Sequence, residues 1–185
     1  FAKEYGAEAI EVNFSCPNVF ENQGALYLDP SAIYTLSKAI ISEIAPLPLI
    51  IKVGLFPTPE QLENSLIAAA KAGVQAICGI NTISMKVKNK NNTPALSSER
   101  PTSGICGNPI RQLGMEFVHT AFNIVKKNKL NLAIWGVGGI LESEHFNAYL
   151  NLGAKAAFSA SGMMWKPLLA QKYHMDQHLR NLTHA

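Results

Sequence analysis

Leu49-Ile50-Ile51-Lys52-Val53 is a strand-length apolar run carrying a single charge. A run of this kind, without polar alternation, has the pattern of a parallel strand buried on both faces. Pro46 and Pro48 stop whatever precedes it, and Gly54, Pro57 and Pro59 stop the strand itself. Lys52 therefore falls at a strand terminus. Its ammonium either snorkels to water or points at a bound anion or an electron-rich ring.

The same alternation of strand and helix extends in both directions. Upstream, Asp29-Pro30-Ser31 opens a helix with apolar residues at Ile33, Leu36, Ile40 and Ile44. Before that, Ala9, Ile10, Val12 and Phe14 form a β-prone approach to Ser15-Cys16-Pro17-Asn18, where Pro17 cannot continue a central strand. Phe1 to Gly6 reads as a helix end, and Glu21-Asn22-Gln23-Gly24 as a mobile loop over a strand end. Downstream, Thr58-Pro59-Glu60-Gln61 starts a second helix that ends at Gly73. Ala76 to Ile80 is a third strand, running into Asn81-Thr82. Ser84 to Arg100 is polar and aperiodic and reads as a long loop, a feature that in compact domains is usually functional. Pro109 then begins a helix with Leu113, Phe117 and Ile124 among its apolar residues, and Leu132 to Ile140 is a strand ending in a glycine turn. A helix from Glu142 to Leu152 follows, then a last strand and turn over Ala156 to Gly162 and a helix at Met163. The tail from His174 is a terminal helix or partly disordered. The count is five βα units, and such alternation implies a parallel sheet.

Composition narrows the class. The chain has 185 residues, 48% hydrophobic and 16% charged, with a net charge of +3. The basic residues are scattered apart from Lys86, Lys88 and Lys90, so nucleic acid is not implied as a partner. No apolar run reaches membrane-spanning length. Three widely spaced cysteines, Cys16, Cys78 and Cys106, suggest free thiols in the cytoplasm and neither a disulfide framework nor a zinc site. His174 and His178 lie one helical turn apart without a third ligand nearby, so no metal is expected.

The conspicuous residues all fall at C-terminal strand ends. Asn13, Ser15, Cys16 and Asn18 bring amides, a hydroxyl and a thiol together, and amides can hold a planar polar ligand by paired hydrogen bonds. Cys16 read alone is equally a small buried hydrophobe, and the asparagines equally turn formers. Gly136-Val137-Gly138-Gly139 lets backbone N–H groups approach an anion, and Ser161-Gly162 adds donors. In a closed (β/α)8 barrel the active site lies at this end of the strands, with a phosphate commonly held after the seventh and eighth.

Six stretches, in order, resemble the dihydroorotate dehydrogenase family of FMN-dependent (β/α)8 barrels and its relative, the pyrimidine-reducing barrel of dihydropyrimidine dehydrogenase. They are Asn13-Phe14-Ser15-Cys16-Pro17-Asn18, Ile51-Lys52-Val53, Ile80-Asn81-Thr82, Ser103-Gly104-Ile105-Cys106-Gly107, Gly136-Val137-Gly138-Gly139-Ile140 and Ser161. The resemblance implies oxidation of dihydroorotate to orotate in pyrimidine biosynthesis, with FMN as cofactor and Cys16 as general base. It further implies Asn13, Asn18, Asn81 and Thr82 as ligands of a small-molecule pyrimidine. Lys52 is implied beside the flavin as a catalytic cation, and Gly104, Gly138, Gly139 and Ser161 as FMN-phosphate contacts. The chain departs from the family at Cys106 and Ala160, where glycines are usual, and five βα units do not close an eight-stranded barrel. The expectation is one domain over residues 1–185, the C-terminal part (strands four to eight) of an incomplete TIM barrel. It would work with the missing N-terminal barrel half or in an oligomer.

Three other readings compete, the nearest being pyrimidine reduction of the dihydropyrimidine dehydrogenase kind, which runs the same logic in the reducing direction, also with a cysteine. Ser103-Gly104-Ile105-Cys106 is similar to the nucleophile loop of inosine monophosphate dehydrogenase, which would make Cys106 the reactive thiol but leave the cluster from Asn13 to Asn18 unexplained. A non-catalytic barrel fragment would bind no FMN and associate through its open sheet edges.

Overall fold

The computed structural model describes residues 1–15, 25–97, 99 and 102–183. Within them the strands are β1 (Ile10–Asn13), β2 (Leu49–Lys52), β3 (Ala76–Gly79), β4 (Ile83–Lys86), β5 (Thr102–Ile105), β6 (Ala133–Val137) and β7 (Ala156–Phe158). The helices are α1 (Pro30–Ile44), α2 (Pro59–Ala72), α3 (Arg111–Lys127), α4 (Ser143–Asn151), α5 (Ser161–Trp165) and α6 (Leu169–Thr183), with short 3-10 turns at Leu26–Leu28 and Asn108–Ile110.

Local chemistry explains where the helices begin and end. Asp29 caps α1 by accepting from the backbone N–H groups of Ser31 and Ala32, and Thr58 caps α2 by accepting from that of Gln61. Each has proline in its first turn, where a missing N–H costs nothing. Gly73 closes α2 at φ +94°, a conformation that a Cβ would resist. The N-terminal segment makes one turn, with the Tyr5 N–H donating to the Phe1 carbonyl, and the tail forms α6.

Strands β1, β2, β3, β6 and β7 form one parallel sheet in that order. Consecutive order alone does not separate a barrel from an open sheet; the faces do. The main core joins Leu49 and Ile51 of β2, Ile77 of β3 and Ile134 of β6 to Ile33 of α1, Leu66 of α2, Val118 of α3 and Tyr149 of α4. A smaller cluster on the other face contains only strand residues: Ile50, Ala76 and Cys78, with Ala133, Trp135 and Val137 packed against them. The described helices α1 to α4 thus cover one face and leave the other to strand side chains alone, as in the wall of a (β/α)8 barrel. Glu11, Lys52, Cys78, Trp135 and Phe158 line a groove of about 440 Å³ on that inner face.

The segment read as a long loop is in fact a hairpin arm. β4 pairs antiparallel with β5, from Ile83 opposite Ile105 to Lys86 opposite Thr102, and Lys88 bridges to Pro94. Its side chains are mostly exposed. The ladder is held by backbone bonds, which leave no apolar alternation to read in the sequence.

Candidate active site

Asn13 and Lys52 end β1 and β2 and are register partners across the parallel ladder. The next strand places Cys78 opposite Lys52, so an amide, an ammonium and a thiol stand in a row at the C-terminal edge of the sheet. Burial pushes the Cys78 thiol up to about 12; the Glu11 carboxylate adds to the shift, and Lys52 opposes it. Cys78 is buried, 3% exposed, in the inner face of the sheet.

Asn81 and Thr82 follow β3 and meet the end of β1. The Asn81 Nδ2 donates to Ser15 Oγ at 2.5 Å, and Ser15 Oγ donates to Asn13 Oδ1 at 2.8 Å. The backbone N–H groups of Ser15 and Thr82 donate to Asn13 Oδ1 (3.0 Å) and Asn81 Oδ1 (2.9 Å). Ser15, Asn81, Thr82 and Gly104 share a cavity of about 770 Å³ with Tyr27 and Phe56. Tyr27 stands edge-on to Phe56 and donates its hydroxyl to the Leu55 carbonyl, which closes the apolar side.

The glycine-rich end is a separate corner. Gly138 and Gly139 adopt φ +131° and +67°, and Gly107 adopts φ +75°. A Cβ on Gly139 would lie 2.7 Å from the Gly107 carbonyl oxygen and 2.5 Å from Arg111 Cβ. A Cβ on Gly107 would lie 3.8 Å from Ser161. Gly107, Gly139 and Ser161 thus surround a small cradle, and Ser161 Oγ donates to Cys106 Sγ at 3.4 Å. Behind it, Tyr149 donates to the Gly138 carbonyl at 2.6 Å and to that of Arg111 at 3.3 Å, and burial raises its phenol pKa. His145 holds the far side: its Nδ1 accepts from the backbone of Leu141 and Glu142 and lies 3.1 Å from the Arg111 guanidinium. Burial, and next Arg111, lower the imidazole pKa.

Two groups of expected site residues come together: Asn81, Thr82 and Asn13 around Ser15, and Gly139 and Ser161 at the cradle, with Gly138 behind it against Ile110 and Tyr149. Gly104 stands with the first group, since a Cβ there would meet Thr82 Oγ1 at 2.6 Å. Gly107, not singled out from the sequence, occupies the cradle instead. Its signal was available, because it is the second glycine of the same Gly-x-x-Gly stretch and precedes a helix-starting proline. Cys16, Asn18 and the loop Glu21-Asn22-Gln23-Gly24 lie outside the described residues.

A parallel sheet backed by helices on one face, with polar residues at its strand ends, is the wall of a (β/α)8-type barrel. The chain belongs to the dihydroorotate dehydrogenase family, whose profile matches residues 3–174. It is 46% identical over 176 residues to dihydroorotate dehydrogenase of Dictyostelium discoideum, covering 94% of this chain and 48% of that protein. It is 33% identical over 167 residues to the catalytic subunit of dihydroorotate dehydrogenase B (NAD(+)) of Maridesulfovibrio salexigens, covering 90% and 52%. A crystal structure of DHODH from Eimeria tenella in complex with ferulenol superposes with a TM-score of 0.70 at 18% identity, over 89% of this chain and 48% of that one, and shows the shared fold. The chain spans about half the length of the curated relatives it matches. Among the described residues no helix is long and apolar enough to cross a membrane.

Proposed function

We propose that this chain carries the strand-end half of a site that oxidises dihydroorotate to orotate with FMN, in pyrimidine biosynthesis and in the cytoplasm. The observation that carries the reading is the convergence of Asn13, Asn81 and Thr82 beside Lys52 at one sheet edge, in a member of this family. The glycine corner suits a phosphate: Gly107 and Gly139 have positive φ, a Cβ on Gly139 would strike the Gly107 carbonyl, and Ser161 adds a hydroxyl beside them. When bound there, FMN supplies the acceptor for the hydride that leaves C6. The protein's own residues do the rest. Cys16 takes the C5 proton as general base, since a thiol titrates close enough to neutrality for the task. The amides of Asn13, Asn18 and Asn81, with Thr82, orient the ring, and Lys52 stabilises negative charge that develops across from it. Gly138, Gly139 and Ser161, joined by Gly107, hold the phosphate end, while Gly104 packs beside Thr82 at the ring end.

β1 and β7 are the outermost strands of the described sheet, and Phe158 on β7 is 41% exposed on the inner face. The active form accordingly has that face closed by further strands, from another segment or another subunit. The test is single-turnover flavin reduction by dihydroorotate in the FMN-loaded protein. Cys16→Ala is expected to retain FMN while slowing reduction by orders of magnitude. An unchanged rate would remove Cys16 from the mechanism, and reduction by dihydrouracil in preference to dihydroorotate would move the substrate to the dihydropyrimidine class.

A further inference from the structure

Ser15 connects two asparagines that are far apart in sequence, and its single hydroxyl proton has a defined place. Backbone N–H groups can only donate, so the atom of Asn13 that meets the Ser15 N–H must be its oxygen, and likewise for Asn81 and the Thr82 N–H. With both amide orientations set, Asn81 Nδ2 must donate to Ser15 Oγ, and Ser15 Oγ in turn must donate to Asn13 Oδ1. Asn13 Oδ1 then has both lone pairs engaged, and its two Nδ2 hydrogens have no partner among the described residues. Asn81 retains one Nδ2 hydrogen and one lone pair. Between them the two amides keep three donors and one acceptor, with Asn81 lining the cavity beside Ser15 and Asn13 joined to it through the Ser15 hydroxyl.

We infer that Ser15 is a positioning residue whose hydroxyl sets this polarity, selecting a flat ligand whose edge presents carbonyl or carboxylate oxygens together with one ring N–H. The inference rests on the dihydroorotate reading only for the identity of that ligand. A turn-forming role alone would not need the hydroxyl: the Ser15 backbone N–H already closes the local turn onto Asn13. The side chain makes the additional bond to Asn81, 66 residues further on, and so ties the end of β1 to the end of β3.

The experiment compares wild type, Ser15→Ala and Ser15→Thr in two measurements. The first is the side-chain amide spectrum of Asn13 and Asn81 by 15N NMR without ligand. Ser15→Ala is expected to shift both pairs and speed their exchange with solvent, while Ser15→Thr, which keeps the hydroxyl, preserves them. The second is steady-state turnover of the FMN-loaded protein with dihydroorotate. Ser15→Ala is expected to raise KM roughly tenfold, the loss of about one neutral hydrogen bond, with kcat changed far less. The inference is overturned if both amide pairs are unmoved in Ser15→Ala, or if Ser15→Thr loses them as the alanine variant does. If wild type neither binds orotate nor oxidises dihydroorotate but the amide pairs still answer to the hydroxyl, the functional reading fails and the positioning role stands.

Discussion

The Tyr149 hydroxyl lies 2.6 Å from the carbonyl oxygen of Gly138, donated from a ring that is fully buried against Gly136 and Gly114. This bond turns the Gly138 carbonyl toward the helix layer. Tyr149→Phe keeps the ring and strands the carbonyl, at a cost of about 1–3 kcal/mol. In a chain of this size that corresponds to a melting temperature lower by roughly 2–12 °C. FMN affinity should fall with it, measured by flavin titration; a melt that matches wild type would show that water replaces the phenol.

Gly139 and Gly6 both have positive φ, +67° and +81°, but only one is crowded. Gly6→Ala meets nothing within 4 Å and should cost only the left-handed strain of about 1–2 kcal/mol. Gly139→Ala drives a methyl into the Gly107 carbonyl, which is backbone and cannot rotate away. The expected outcome is a soluble protein that purifies with far less flavin than Gly6→Ala, read from the absorbance ratio of flavin to protein.

Cys78 and Cys106 should separate cleanly by reactivity. Cys78 is buried with its thiol pushed up to about 12, whereas Cys106 is exposed. Iodoacetamide at about pH 8 should label Cys106 and spare Cys78 until denaturant is added, since only the thiolate reacts. Peptide mass spectrometry gives the answer, and rapid native labelling of Cys78 would mean that the inner face opens.

His145 makes stability depend on pH with a definite sign. Its folded pKa lies below the ordinary value of 6.5, so between the two values the unfolded chain binds more protons than the folded one. The contribution is therefore complete above about pH 6.5 and declines as pH falls below it. Protonation also destroys the Nδ1 acceptor that caps the Leu141 and Glu142 N–H groups. Melting temperature should drop on acidification from about pH 7 to 5. His145→Asn, which keeps a neutral acceptor, should flatten that part of the profile.

The βα alternation was legible because proline and glycine punctuate it: Pro46 and Pro48 before β2, Pro59 at α2, Gly73 and Gly153 at helix ends. Lys52 could be placed at a strand terminus for the same reason. The β4–β5 arm was not legible, since Ser84, Met85 and Lys86 show outward-facing side chains and no buried face. Nor could a list of glycines tell Gly104 from Gly107; that takes the backbone angle and the neighbour that each would strike. Which strand residues face inward also escaped the pattern, because β2 and β3 are apolar on both faces. The Ser15–Asn81 bond, spanning two strand ends, belongs to the assembled sheet and to no local stretch.

Among the described residues, β4 and β5 pair with each other and not with the five-stranded sheet. The arm is thus grafted between β3 and α3 without being woven into the wall, while Ser103 and Gly104 at its base line the cavity together with Thr82. Insertions or deletions near the Lys88–Pro94 bridge could remodel the outer rim without disturbing barrel register. That makes this segment the place where the protein can acquire new neighbours at little risk to its chemistry.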